Sequence, residues 1–261
     1  MEVVVDFNKT AQENAKTYFE MSKKSRLKSD GAGKSVDELK DKLKNVENQK
    51  EEVKAVKEIE KREWYEKYNW FFTSNNLLAI GGRSADQNEE LYSKHLEDND
   101  LFFHADVFGA SVVVLKDGVD SNKEIKEEVS QFAASFSKAW ESGQGSIDVY
   151  CVKKEQVTKS RNYGSLGKGS FVILGDREWY RNIKLALAAF IKEKEIDKKV
   201  IKKISIVPRL YIEKTNTKVF VSIDIGNTKK SDAAKKISAK LKYENIDYIM
   251  QHLPPGSFSI K

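Results

Sequence analysis

Two residue sets in the 261-residue chain have types and spacings that could do chemistry. The first is His104 and Asp106. In the stretch 101–108, Leu101, Phe103, Ala105 and Val107 alternate with Phe102, His104, Asp106 and Phe108. A period of two predicts a strand with His104 and Asp106 on one face. A His–Asp pair so placed can orient a general base, and Arg83 with Asp86 could neutralise and position a phosphate. That set would suit a hydrolytic or nucleic-acid-processing site. Against it, the chain holds only three histidines, none close to His104 in sequence, and a polar pair satisfying itself in a core is the plainer alternative. The second set is the loop 158–169, with Lys159, Arg161, Tyr163, three glycines and Lys168. Glycines let a backbone approach a ligand, while basic and aromatic side chains can grip phosphate or stack on a base.

Charge is distributed unevenly around these sets. Residues 181–242 carry 17 Lys and Arg against 6 Asp and Glu, whereas residues 63–120 carry 4 against 11. A basic region concentrates near polyanions and makes binding salt-dependent. Lys229, Lys230, Lys235 and Lys236 fall on one predicted helix, 229–241, whose Ala233, Ala234, Ile237 and Leu241 form its apolar side. The single cysteine, Cys151, lies among Val149, Tyr150 and Val152 and reads as a buried strand thiol. It rules out an internal disulfide framework. No apolar run reaches membrane-spanning length and no signal-peptide core is present, so a cytoplasmic protein is expected. No metal-ligand spacing or cofactor motif is evident. Gly31-Ala32-Gly33-Lys34-Ser35 lacks the first glycine and the preceding strand of a phosphate-binding loop.

The elements that would position these residues follow from periodicity. Asn8 or Thr10 can cap a helix through Ala11, Ala15, Tyr18, Phe19 and Met21. After the glycine turn, Val36, Leu39, Leu43, Val46, Val53, Val56 and Ile59 give a second, interrupted heptad helix, and the two together predict an antiparallel hairpin over 1–62. Trp64 and Tyr68 read as an aromatic face plugging the next core. Residues 70–80 read as a β-hairpin, and Ser84 with Gln87 as the capping box of a helix reaching Leu96. Val112 to Leu115 is a strand covered on both faces, beside small residues Gly109, Ala110 and Ser111. Ile125, Val129, Phe132, Ala133, Phe136 and Trp140 predict one helix over 123–141 lying on the sheet. Strands are expected at 146–156, 170–174, 200–207, 210–212 and 219–225, and a short helix at 244–253. Residues 183–191 fit either a helix by alanine content or a strand by their aliphatics. The expected fold class is α+β: a mixed, mainly antiparallel sheet with packed helices in 63–261, preceded by the helical hairpin.

From Arg62 onward the chain resembles the RNA-binding (NFACT-R) domain of the NFACT family of ribosome-associated quality-control factors, in its archaeal type. The resemblance rests on Arg62-Glu63-Trp64-Tyr65-Glu66-Lys67-Tyr68-Asn69-Trp70-Phe71, on Ile80-Gly81-Gly82-Arg83-Ser84-Ala85-Asp86-Gln87-Asn88-Glu89, and on Asp100-Leu101-Phe102-Phe103-His104-Ala105-Asp106-Val107-Phe108-Gly109-Ala110-Ser111. It continues through 132–140, 157–159 and 169–171. Asn14-Ala15-Lys16-Thr17-Tyr18-Phe19 resembles the start of the family's coiled-coil hairpin, here abbreviated. There is no counterpart of the family's large N-terminal domain, so a fragment or a shortened member is expected. The resemblance implies binding to tRNA and to RNA of the large ribosomal subunit after a stall, with nascent-chain complexes nearby. It implies no catalytic role and no cofactor. The residues expected at RNA are Arg83, Asn88, His104, Asp106 and Ser111, the loop cations Lys159, Arg161 and Lys168, and Lys229, Lys230 and Lys235. A nucleic-acid-processing enzyme using His104 and Asp106 and a protein-binding scaffold are the alternatives.

Overall fold

The computed structural model describes residues 4, 6–8, 10–29, 39–40, 63–160, 166–196 and 199–261. The chain divides into two compact units, Met1–Glu63 and Trp64–Lys261. In the first, residues 11–29 form helix α1. Thr10, not Asn8, begins it: its Oγ1 accepts from the Glu13 amide at 3.3 Å while the Glu13 carboxylate accepts from the Thr10 amide at 2.8 Å. Of the second expected helix only residues 39 and 40 are described, and both are helical. The glycine turn at 31–35 and the seam residues Val36, Leu43, Val46, Val53, Val56 and Ile59 lie outside the described residues.

The second unit opens with a 3-10 turn at Trp64–Lys67. Strands β1 (Asn69–Phe72), β2 (Leu78–Gly81), β3 (Leu101–Ala105), β4 (Val112–Leu115), β5 (Ser146–Lys153) and β8 (Glu178–Lys184) build a six-stranded sheet in the order β1-β2-β4-β3-β5-β8. Between β5 and β8, β6 (Val157–Thr158) and β7 (Val172–Ile173) form a two-stranded ribbon. Strands β9 (Ala186–Ile196), β10 (Lys199–Pro208), β11 (Val221–Thr228) and β12 (Phe258–Ile260) form a four-stranded sheet, ordered β10-β9-β11-β12. All the ladders among the described residues are antiparallel. The helices are α2 (Ala85–Glu90), α3 (Lys123–Ser135), α4 (Lys138–Glu141), α5 (Arg209–Thr215), α6 (Lys230–Leu241) and α7 (Ile246–His252).

Helix α3 is the common support of both sheets. Its Ile125, Val129, Phe132 and Ala133 are buried against one face of the six-stranded sheet, where Leu101, Phe103 and Val113 point. Its polar Gln131 reaches the other way, accepting from the Leu210 amide at 2.9 Å and donating to the Lys184 carbonyl at 3.1 Å. Ser135 Oγ accepts from the Ala186 amide at 3.2 Å. These buried polar groups are satisfied by the chain segments entering β9 and α5, which fixes where the second sheet begins.

The structure revises several elements. The 123–141 helix is two helices, because Ser137 breaks the run: its Oγ donates to the Ala134 carbonyl at 2.7 Å and accepts from the Ala139 amide at 3.2 Å. Residues 183–191 are extended, not helical: Ile183 and Lys184 end β8, and Ala186 opens β9. Leu185 to Phe190 are all buried where the chain enters the second sheet, and small Ala188 and Ala189 share that core with Ala233 and Ala234 of α6. Residues 210–212 are helix, not strand. Pro208 (φ −55°) enters α5 and left-handed Asn216 (φ +51°) ends it, a distinction three aliphatics cannot carry. The strand expected at 146–156 ends at Lys153 and passes into a 3-10 turn, and the one at 170–174 shrinks to Val172–Ile173. Tyr68 is fully buried, whereas Trp64 is 45% exposed and lies on the His95 ring at 4.3 Å.

Candidate nucleic-acid interface

The face of the six-stranded sheet opposite α3 carries a continuous line of rings. In register across β3, β5 and β8, His104 pairs with Tyr150 and Tyr150 with Trp179. Ring centroids are 5.7 Å apart for His104–Tyr150 and 5.3 Å for Tyr150–Trp179. The line runs back through Phe102 (6.5 Å from His104), Phe171 (5.7 Å from Phe102) and Tyr92 (4.9 Å from Phe171). Alternation along β3, β5 and β8 puts Phe102, His104, Tyr150 and Trp179 on one face, whereas Tyr92 and Phe171 come from segments outside this sheet. At the end away from β8 the Tyr92 hydroxyl donates to the Val157 carbonyl at 3.3 Å. The β8 end is edged by exposed Arg177 and Arg181.

The two members of the alternative catalytic pair, His104 and Asp106, lie in different settings. β3 ends at Ala105, and Asp106 sits in the following bend, exposed, with its amide donating to the Asp148 carbonyl at 2.8 Å. His104 is wedged between Phe102 and Tyr150. Burial pushes its pKa below the usual histidine value, partly offset by backbone hydrogen bonds at Ala105 and Ala110 and by the Asp106 charge. Burial also pushes the Cys151 thiol up to about 12, aided by Glu178, so a thiolate nucleophile is disfavoured at neutral pH. Among the described residues no group of three or more His, Cys, Asp and Glu side chains could hold a metal ion.

The other expected contacts fall into two groups. Asn88 and Ser111 are engaged by the main chain: Asn88 is buried with its Oδ1 accepting from the Val112 amide at 3.1 Å, and Ser111 Oγ donates to the Phe136 carbonyl at 3.2 Å. Arg83 donates from Nε to Asn69 Oδ1 at 3.0 Å and from an NH2 group to the Tyr68 carbonyl at 2.8 Å, tying the turn before α2 to β1. The loop cations meet acids of α2. Lys159 pairs with Glu89, which also accepts from the Gly169 amide at 3.1 Å, and Lys168 pairs with Asp86. Gly169, at φ +73°, lies so close to Ala85 that a Cβ would sit 2.9 Å from its backbone. The loop glycine therefore serves packing onto the protein's own helix. Arg161 lies outside the described residues.

On α6, Lys230 turns inward. Its Nζ donates to the Leu253 carbonyl at 2.8 Å, and burial with the nearby Arg83 charge lowers its pKa. Lys229, Lys235, Lys236 and Lys240 remain exposed, with Lys235 3.8 Å from Asp232. The exposed cations of this helix and its N-cap thus lie on the outer side, while Ala233, Ala234 and Ile237 face the core.

Residues 67–175 match the family model described as the NFACT protein RNA binding domain. This stretch belongs to the NFACT family. The chain is similar to the archaeal Rqc2 homolog aRqcH of Methanocaldococcus jannaschii, 37% identical over 217 residues, covering 81% of this chain and 31% of that protein. It is similar to the ribosome quality control complex subunit NEMF homolog of Drosophila melanogaster (32% identical; 71% of this chain, 19% of that protein). It is also similar to the human ribosome quality control complex subunit NEMF (31% identical; 65% of this chain, 16% of that protein). The chain therefore spans less than a third of the length of each of these relatives.

Sequence reasoning passed over Tyr150, Arg177, Trp179 and Arg181, of which the last three lie just beyond the matched NFACT stretch. Their signal was present as Arg177-Glu178-Trp179-Tyr180-Arg181, a period-two run with two arginines flanking a tryptophan on one face. Tyr150 could be added only from the β5–β8 register.

Proposed function

We propose that this chain is the RNA-binding module of a ribosome-associated quality-control factor, contacting tRNA and RNA of the large ribosomal subunit where translation has stalled. The observation that carries the reading is the match of residues 67–175 to the NFACT protein RNA binding domain. The names of the relatives, which are ribosome quality control subunits and Rqc2 homologs, support the setting. The module would hold and position RNA rather than make bonds. Its unit 63–261 would carry the RNA contacts, and the hairpin 1–62 would be a separate arm. The outer lysines of α6 are the exposed cations best placed to meet phosphate, whereas Lys159 and Lys168 must first leave Glu89 and Asp86.

The test is an electrophoretic titration of the whole chain against tRNA and large-subunit ribosomal RNA at about 50 and 200 mM salt. With several phosphates neutralised, affinity should fall by orders of magnitude across that range. Replacing Lys229, Lys235 and Lys236 by Glu should weaken binding further and flatten the salt slope. Absence of binding, or binding indifferent to salt, overturns the reading.

A further inference from the structure

We infer that the β8 end of the aromatic line is a stacking site for unpaired nucleobases of single-stranded RNA, an inference that rests on the RNA-binding reading above and adds the class of RNA. Trp179 and Arg181 of the edge strand β8, and Arg177 two residues before Trp179, gather on one face. The Arg181 guanidinium carbon lies 4.0 Å from the Trp179 ring centroid. The Arg177 guanidinium lies 4.9 Å from the Tyr150 centroid and 5.9 Å from Trp179. Each guanidinium thus lies over an aromatic ring, and both arginines are exposed.

The two arginines are held differently, and the difference matters. Arg181 donates to Asp148 Oδ2 at 2.6 Å, and the other Asp148 oxygen accepts from the Asn182 amide at 2.7 Å. That carboxylate balances the Arg181 charge and fixes the side chain above the indole. A balanced, fixed guanidinium is a poor phosphate hook and a good flat surface. Arg177 has neither a hydrogen bond nor an ion pair among the described residues, only its ring contacts. It keeps its full charge and its N–H edges for a phosphate next to the stacked base. Exposed Asp106 would repel a second strand's backbone, so the site suits one strand with its bases turned inward. Aromatic rings and guanidinium planes on a sheet face are a general means of holding splayed bases, and they have no purchase on bases paired inside a duplex.

Exchanging the flat cation for a tetrahedral one tests this without changing the charge. The whole chain carrying Arg177→Lys and Arg181→Lys is compared with the parent by fluorescence anisotropy, using a labelled single-stranded oligonucleotide and a duplex RNA of matched length. Both side chains are exposed, so the exchange should leave the fold intact, which a thermal melt of each protein checks. Stacking predicts about tenfold weaker single-strand binding, the lower half of the range measured for a base on a platform, with the salt slope and duplex binding unchanged. Trp179→Leu, which removes the backing ring, should give a similar single-strand loss. Equal single-strand affinity of the parent and the double lysine variant overturns the stacking site and leaves the RNA-binding reading standing. Failure of the parent to bind RNA in either form removes both.

Discussion

Acid should destabilise the second unit through one side chain, His252. It closes α7, with its ring stacked on Tyr248 at 4.1 Å and its Nδ1 2.8 Å from the Tyr248 carbonyl. Its Nε2 is buried without a hydrogen-bond partner, so a second proton there would lack an acceptor. Burial chiefly, with the Arg83 and Lys203 cations, outweighs the opposing Tyr248 carbonyl hydrogen bond and the Glu66 charge and lowers the pKa from 6.5 to about 4. The folded state therefore binds fewer protons than the unfolded chain between these values. Stability is complete above 6.5 and is lost as the pH falls towards 4. Integrating the difference gives a loss of ~2 kcal/mol between pH 7 and pH 5, rising to ~3 kcal/mol at pH 4. Replacing His252 by Phe keeps a ring against Tyr248 and removes the titration. Urea unfolding of both proteins at pH 7 and pH 5 isolates the effect, because His95, His104 and the carboxylates titrate alike in each. The variant should gain ~2 kcal/mol on the parent at the lower pH. A parent–variant gap that stays constant between the two pH values would refute the assignment.

Two further outcomes follow from buried contacts. Asp100, whose side chain is fully buried, accepts from Lys116 at 2.6 Å and from the Glu97 and Asp117 amides at 2.7 and 2.8 Å. Asp100→Ala should cost ~3 kcal/mol in urea unfolding at neutral pH, since it leaves two amides unpaired and takes from the partly buried Lys116 one of the two carboxylates it pairs with, Glu97 and the His95 carbonyl remaining; a loss below ~1 kcal/mol would contradict that. Gly82→Ala would set a Cβ 2.1 Å from Asn88 Oδ1 and drive that side chain off the Val112 amide. A loss of ~2 kcal/mol is expected, read as a lower melting temperature, and much smaller in an Asn88→Ala background.

What the sequence disclosed depended on how local the deciding interaction was. β3 and β4 declared themselves through alternation and an aliphatic run. α6 did so through Ala233, Ala234 and Ile237, because burial follows chain periodicity there. The split at Ser137 and the helix at 209–215 rest on one hydroxyl and one proline, signals too small to outweigh the surrounding apolar pattern. Residues 186–191 became strand because the chain needed a central strand between β10 and β11, a tertiary demand that overrides alanine's helix preference. The interface shows the same division. The cations of the 158–169 loop were visible, but their partners Glu89 and Asp86 lie about 70 and 80 residues away in sequence. Likewise, Ser84 caps α2 as expected, yet the Gln87 side chain accepts from the Arg83 amide one residue earlier than a regular capping box.

The position of α3 between two sheets has a consequence for where this protein can be divided. Residues 67–175 hold five of the six strands of the first sheet and all of α3, but the outermost strand and the entire layer behind that helix come from residues after 175. A piece ending at 175 would leave Gln131 and Ser135 without the amides they now satisfy and would open the far side of the helix to water. The stretch by which kinship is detected is therefore shorter than the stretch that must fold together, and the tryptophan–arginine edge belongs to the surplus.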